Sequence, residues 1–351
     1  MTVYANKPAF NVREKLKELD KPSGIAGEAM LRAETPQEQF NLIGAGRRNK
    51  IINGSMLIWQ RGTVQPTSTN NSYHCVDRWA PYSSGRTQYQ QSTDVPDGFA
   101  YALTTSGTPT GEYIISHGIE LPGAGRAGEF YVGQKFTVSY YAKSTVAGDR
   151  LMDWMAFRVG QTSSSSQVEA KVNDSNQYHS LSTGWKRYSR TYTITGTPGS
   201  TNICLTLAIR NHWNNPIAAG NISITGVQIE IGSTVTPFEH RSYGEELALC
   251  QRYFEKLATN GENDANRYNG IAWATNNLNV FIPFQVAKRV APTVAISHNG
   301  EVFTGSWQSA DGSAVTGQGL KGCTISIQKN VYTVKYGYFI RNQTITASAE
   351  L

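Results

Sequence analysis

The sequence is short of charge, of long apolar runs and of paired cysteines. Asp, Glu, Lys and Arg make up 17% of 351 residues. The formal net charge is +6, but the basic residues are scattered. Without a dense run of Lys or Arg, the electrostatic footprint of a nucleic-acid-binding protein is excluded and the mild basicity reads as incidental. No stretch approaches the roughly eighteen consecutive apolar residues of a membrane span, so no membrane insertion is expected. Met1-Thr2-Val3-Tyr4 does not open a basic segment followed by an apolar one, so no export signal is expected. Cys75, Cys204, Cys250 and Cys323 are far apart and include no CxxC pair, which excludes a zinc ribbon or a redox motif. Free buried thiols are expected, in keeping with assembly in a reducing cytoplasm.

Catalytic constellations are equally scarce. The histidines (His74, His117, His179, His212, His240, His298) form no HxH or HExxH spacing, and GxSxG is absent. The glycine-rich stretch 123–128 does not link a strand to a helix as a phosphate loop must, so it reads as a loop. Asp153 with Asp174, or Glu112 with Glu120, are the carboxylate pairs on offer for glycoside hydrolysis. That mechanism needs a defined separation in space, and scattered surface carboxylates are the ordinary case. No period of 20 to 50 residues repeats, which argues against a solenoid, a propeller or a β-helical depolymerase. The expectation is a protein that is no enzyme, with no catalytic residues, no cofactor and no metal.

What is abundant is strand and turn chemistry: 33 Gly, 18 Tyr and many Ser, Thr and Asn. Residues 1–48 stand apart. Val12, Leu16 and Leu19 form one narrow apolar stripe in a short helix, and Thr35-Pro36-Gln37-Glu38 is a capping box opening another that carries Phe40. Two helices with such thin stripes cannot bury a core alone, so this segment must lie on something else. Residues 49–241 change to short period-two strands, for example 135–142, 187–194, 203–209 and 222–230, a pattern suited to a sandwich or jelly roll. Asn53-Gly54 is a tight-turn dipeptide expected to close a first strand. A capping box at Ser242-Tyr243-Gly244-Glu245 opens a connecting helix over 242–258, with Leu247, Cys250 and Phe254 on one face. Residues 259–351 return to strands in a smaller β domain.

Two stretches carry a resemblance. Residues 49–62 (Asn-Lys-Ile-Ile-Asn-Gly-Ser-Met-Leu-Ile-Trp-Gln-Arg-Gly), followed by Asp77-Arg78-Trp79, resemble the opening of jelly-roll modules in tail-fibre and appendage proteins of tailed bacteriophages. Residues 226–239, running into 246–254, resemble their ending, and 281–284 with 289–293 a segment that often follows. The stretch 21–30 resembles a virion-attachment leader. The wider similarity of 50–240 is to carbohydrate-binding modules with a β-jelly-roll sandwich. The resemblance implies a virion protein assembled in the bacterial cytoplasm, usually a homotrimer. Residues 1–48 would dock on other virion proteins through Val12, Leu16, Leu19 and Phe40, and Leu247, Cys250 and Phe254 would pack around a trimer axis. The function implied is a structural tail fibre contributing to attachment at host-surface glycans; the alternative is a head fibre, decoration protein or adaptor with a purely structural role.

Sugars stack on aromatic faces while polar neighbours satisfy their hydroxyls. Trp213, flanked by Asn211 and His212 in an amide-rich loop, fits that description, as to a lesser degree do Tyr82 near Ser83-Ser84 and Trp154 near Asp153; packing under a loop or at a subunit contact is the more ordinary reading of Trp213. Trp79 and Trp185 sit at element starts and read as core plugs. Trp273, Trp307, Tyr336 and Tyr338 read as packing between subunits.

Overall fold

Short runs of β-branched and aromatic residues, cut by Gly, Pro and Asn, become strands throughout the described chain. The computed structural model describes residues 47–65, 73, 75–83, 88–106, 113–160, 178–211, 220–258, 268–296, 300–341 and 344–351. The chain divides after Arg48, and Asn49 to Leu351 form one unit. The two N-terminal helices expected from sequence, with Val12, Leu16, Leu19 and Phe40, lie outside the described residues.

Eleven strands build a sandwich: β1 (Val64–Gln65), β2 (Ala80–Ser83), β3 (Gln88–Ser92), β4 (Ala102–Ser106), β5 (Tyr113–Glu120), β6 (Lys135–Ser144), β7 (Arg150–Arg158), β8 (His179–Ser180), β9 (Lys186–Thr193), β10 (Cys204–Asn211) and β11 (Ile222–Ile231). One sheet runs β1-β3-β4-β11-β6-β9, and the other β2-β5-β10-β7-β8. The paired strands are antiparallel, and the crossing connections are those of a jelly roll. Alternation sends Phe136, Val138 and Tyr140 of β6 and Val227 and Ile229 of β11 inward to meet Leu205, Leu207 and Ile209 of β10. Phe136 and Tyr192 stack in this core with ring centroids 5.6 Å apart.

The two stretches that carried the resemblance turn out to lock onto each other. No strand forms at 51–59; instead Asn53, at φ 58°, is the hub of a turn. Its amide side chain accepts from the backbones of Leu57 and Ile58 and donates to the carbonyls of Ile58 and Asp77. Its carbonyl accepts from the Trp79 indole at 3.0 Å. Gly54 accepts from Val227 at 2.9 Å, and Asn49 bonds both Val227 and Ile229 on the last strand. Arg241 then bridges Ile51 and Glu246, and Glu246 also accepts from the backbone N–H of Asn53.

A helix, α1 (Tyr243–Gln251), follows, with Ser242 capping the amide of Glu245 as the sequence motif requires. It is shorter than expected. Arg252 closes it, and β12 (Phe254–Ala258) pairs with a distant strand near the end of the chain. Cys250 and Phe254 are enclosed by the same chain, at 0% and 7% exposure. They therefore form no open seam for neighbouring helices; Leu247 remains half-buried on α1.

The remaining strands are β13 (Tyr268–Ala274), β14 (Asn277–Pro283), β15 (Thr293–Ile296), β16 (Glu301–Phe303), β17 (Trp307–Ser309), β18 (Gly312–Gln318), β19 (Gly322–Gln328), β20 (Gly337–Arg341) and β21 (Thr344–Ser348). A three-stranded sheet, β12-β21-β15, covers one face of a seven-stranded sheet, β17-β16-β20-β13-β14-β19-β18. Leu257, Ile345 and Ala347 pack there against Leu278, Val280, Ile325 and Ile340 as a second core. Strand β20 begins only at Gly337, because 331–336 turn, with Lys335 at φ 71°.

Candidate functional site

The sandwich offers two outward sheet faces, and the residues on each follow from the same alternation that builds the core. On the five-stranded sheet, Trp154 lies between Ala208 and the strand edge, in a row that continues through Ser116 to Ala80. Its neighbours are small or apolar: Ala208, Ala156 and Met152 are buried, and the Arg158 guanidinium lies 5.9 Å from the indole. Tyr82 of β2 pairs with Ile114 at the edge of this sheet. Asn211 ends β10 opposite Leu151 and is buried. His212 and Trp213 lie outside the described residues, as do Asp174 and Glu112.

Asp153 does not accompany Trp154. Strand alternation turns it into the sandwich, where it is fully buried and accepts from the Tyr140 hydroxyl at 3.2 Å and from the Tyr192 hydroxyl. His179 Nε2 lies 3.3 Å away and Arg190 Nε 3.7 Å. Burial alone would raise this carboxyl, but His179, Arg190 and Tyr192 outweigh it and hold it below the usual carboxylate range. It is a structural tie between sheets, with no free face toward solvent. Glu120 is also engaged, accepting from Arg252 at 3.0 Å and from the Tyr253 hydroxyl at 2.9 Å.

The six-stranded sheet presents different chemistry. Its register places Gln90, Thr104, Ser223 and Lys143 in one outward row across β3, β4, β11 and β6. Thr104 and Ser223 share a 2.8 Å hydrogen bond. Trp185 closes the row. Expected as a core plug, it is only half-buried, because it precedes β9 at the sheet edge and its indole has Lys143, not core, beneath it. The indole Nε1 donates to Asp94 Oδ1 at 3.2 Å, and Asp94 pairs with the Lys143 ammonium, whose nitrogen lies 5.2 Å from the Trp185 ring centroid. Asp94 comes from the loop after β3, where its backbone amide bonds Ser92 Oγ at 3.1 Å. Hydrogen bonds from Lys143 and Trp185 lower the Asp94 carboxyl below its ordinary range, so it is an anion at neutral pH. Phe99 on the same loop packs on Tyr141, Phe238 and His240, with centroids 5.0 to 5.4 Å apart. The loop is thereby held against the sheet.

This is an aromatic face, an outward carboxylate and an ammonium in mutual contact at the end of a line of hydroxyl and amide side chains. Four interstrand steps of ~4.8 Å make that line roughly 19 Å long. Nothing in the sequence near Trp185 shows it, since Asp94, Lys143 and Trp185 are brought together only by the β6–β9 pairing and the fold-back of the 93–101 loop. Among the described residues, no group of three or more His, Cys, Asp or Glu side chains is placed to hold a metal ion. No described helix is long and apolar enough to cross a membrane.

No family model matches the chain, and no curated protein matches it. Among solved structures, it is similar to a putative sugar binding protein from Bacteroides thetaiotaomicron at 12% identity, covering 53% of this chain and 100% of that one with a TM-score of 0.34. It is similar to the CBM22-1 xylan-binding domain of Xyn10C from Paenibacillus barcinonensis at 14% identity, covering 51% and 96% with a TM-score of 0.30. It is also similar to the enzymatically active domain of bacteriophage CBA120 tailspike protein 4 at 15% identity with a TM-score of 0.32, covering 52% of this chain but 21% of that one. At this level of likeness the three carry no argument about activity or ligand.

Proposed function

We propose that the chain is a non-enzymatic glycan-binding component of a phage fibre, displaying the Trp185–Asp94–Lys143 surface in several copies toward a carbohydrate-coated cell. The observation that carries the binding reading is the contact between the half-exposed Trp185 indole and the exposed, anionic Asp94 carboxylate beside a polar row. A pyranose ring stacks its apolar face on the indole while the carboxylate accepts two of its hydroxyls. Lys143 fixes the carboxylate before the sugar arrives, which lowers the ordering cost of binding. Single sites of this shallow kind are weak, and several copies on one particle compensate through effective concentration. The fibre setting rests on the resemblance of 49–62, 77–79 and 226–239 to phage appendage modules. Membership of a virion, a trimeric state and docking through residues 1–48 belong to this proposal.

The test is a glycan array followed by titration of the best ligand. Trp185→Ala should weaken binding by at least tenfold, in line with about 1.5 kcal/mol for a stacked aromatic, and Asp94→Asn by a smaller factor. Both should leave the thermal melt in place, because neither side chain is in a core. Unchanged binding in both variants removes this surface from the proposal, and no binding to any glycan or host-surface preparation removes the glycan reading itself.

A further inference from the structure

The seven-stranded sheet has one face covered by the β12-β21-β15 sheet and one face that no other described element covers. The uncovered face is apolar over about half its width. Pairing of β13 with β14 and β20, and of β16 with β20 and β17, aligns Trp307, Phe303, Phe339 and Phe281 outward across five strands, with Asn269 between the last two. Ile271 and Trp273 stand beside them; Ile271, Trp273 and Phe281 are 64%, 59% and 60% exposed. Trp273 is held upright by its indole N–H, which donates to Asn279 Oδ1 at 3.1 Å. Monomeric proteins seldom leave so many large side chains together in water.

The other half of the same face is flat. Beyond Phe281 the outward positions are Thr324 and Gly317, and in the next row Ser326 and Ala314. Phe281 itself lies over Gly322, where a methyl group would sit 2.5 Å from its ring. The face is therefore a raised aromatic ridge beside a shelf of small side chains. A depression of about 400 Å³ opens in the ridge at Gly337, rimmed by Ile271 and Phe339. Glu301 and Arg341, cross-strand neighbours at one end, are the charged residues among the described outward positions of these strands.

From this pattern we infer that the face is the contact between copies of this chain, with the ridge of one copy seated on the shelf of another. Size complementarity is built into one surface, as self-association requires. Neutrality matters because each copy carries a formal charge of +6, so two copies approach most favourably through a face free of Lys and Asp. A glycan is the poorer occupant, since Phe and Ile offer its hydroxyls nothing. Seven strands of about six residues, six interstrand steps across, give a plane of roughly 500 Å² per copy, or about 1,000 Å² in a paired contact, above accidental contacts and at the low end of specific ones. Association is accordingly concentration-dependent. It stands independently of the glycan reading.

The test is sedimentation equilibrium of the full chain over a wide concentration range. The wild type should associate. Phe281→Asp on the ridge and Ala314→Lys on the shelf should each raise the dissociation constant more than about tenfold, as central interface positions do. Mixed together, the two variants should recover association through the new opposite charges. Both sites are outward, and a melt matching wild type confirms that each variant is folded; Phe281→Ser and Ala314→Gln serve if either is not. A wild type that stays monomeric, variants that associate as before, or a mixture that gains nothing would each overturn the ridge-on-shelf contact.

Discussion

At the scale of single residues, the jelly roll depends on positions where the backbone leaves no room. A methyl group on Gly54 would lie 2.1 Å from the Val227 carbonyl oxygen, so any other residue here must push the last strand away. That displacement would break the Val227–Gly54 hydrogen bond and loosen the Asn49 contacts to Val227 and Ile229. Gly54→Ala should therefore destabilise by about 3 kcal/mol or more, in the range of severe overpacking, seen as a lower denaturant midpoint. The neighbouring Asn53 accepts φ 58° at little cost because asparagine tolerates the left-handed region. The dipeptide was legible as a turn. Its partners were not, since Val227, Trp79 and Glu246 lie far along the sequence and only the closed sandwich brings them to it.

At the scale of elements, Asp153 ties β7 to β6, β8 and β9 through Tyr140, His179, Tyr192 and Arg190. Because its folded carboxyl is held below the ordinary value, it contributes stability that is present above pH ~4 and lost as pH falls through the folded value. Melts of the wild type should drop as the pH falls below ~4, and those of Asp153→Asn should start lower and fall less over that range. Parallel curves would show that the tie carries no charge-dependent stability. Period two marked the strands well: β6, β9, β10 and β11 lie within a residue or two of where alternation puts them. The helical pattern failed after Gln251. Tyr253-Phe254-Glu255-Lys256-Leu257 satisfies a helical stripe, yet Phe254 to Ala258 pair with Thr344 to Ser348, a partner some ninety residues away that no local signal announces. Glu255 is buried there against the Lys288 ammonium at 2.5 Å. The candidate site was legible only as a kind of chemistry, an aromatic with polar company; the fold supplies such company to Trp185 from Asp94 and Lys143, which no local pattern announces, and turns Asp153 away from Trp154.

At the scale of the whole unit, two hydrophobic cores are joined by a small ionic seam. Arg61 and Arg78 come from the jelly roll, and their guanidinium carbons lie 3.5 Å and 3.6 Å from the ring centroids of Phe254 and Tyr253. Glu350 reaches both arginines, while Asp77 pairs with Arg61 at 2.8 Å. Arg289 bonds the carbonyls of Ala349 and Glu350, and Ala349 donates to Tyr253, so the last strand is anchored at its end. The charges balance only while both carboxylates are present. Glu350→Gln would leave Arg61 with Asp77 and take from the buried Arg78 the carboxylate that it bonds, at a cost of about 3 to 5 kcal/mol, the range for removing one member of a buried pair. Since the seam couples the cores, the loss should appear as a change of cooperativity as well as of midpoint. Calorimetry of the wild type should give one transition; in Glu350→Gln the C-terminal sheets should melt first and the jelly roll later. A variant that melts in one transition at the wild-type temperature would mean that apolar contact alone joins the two, with the ionic seam contributing nothing to their coupling.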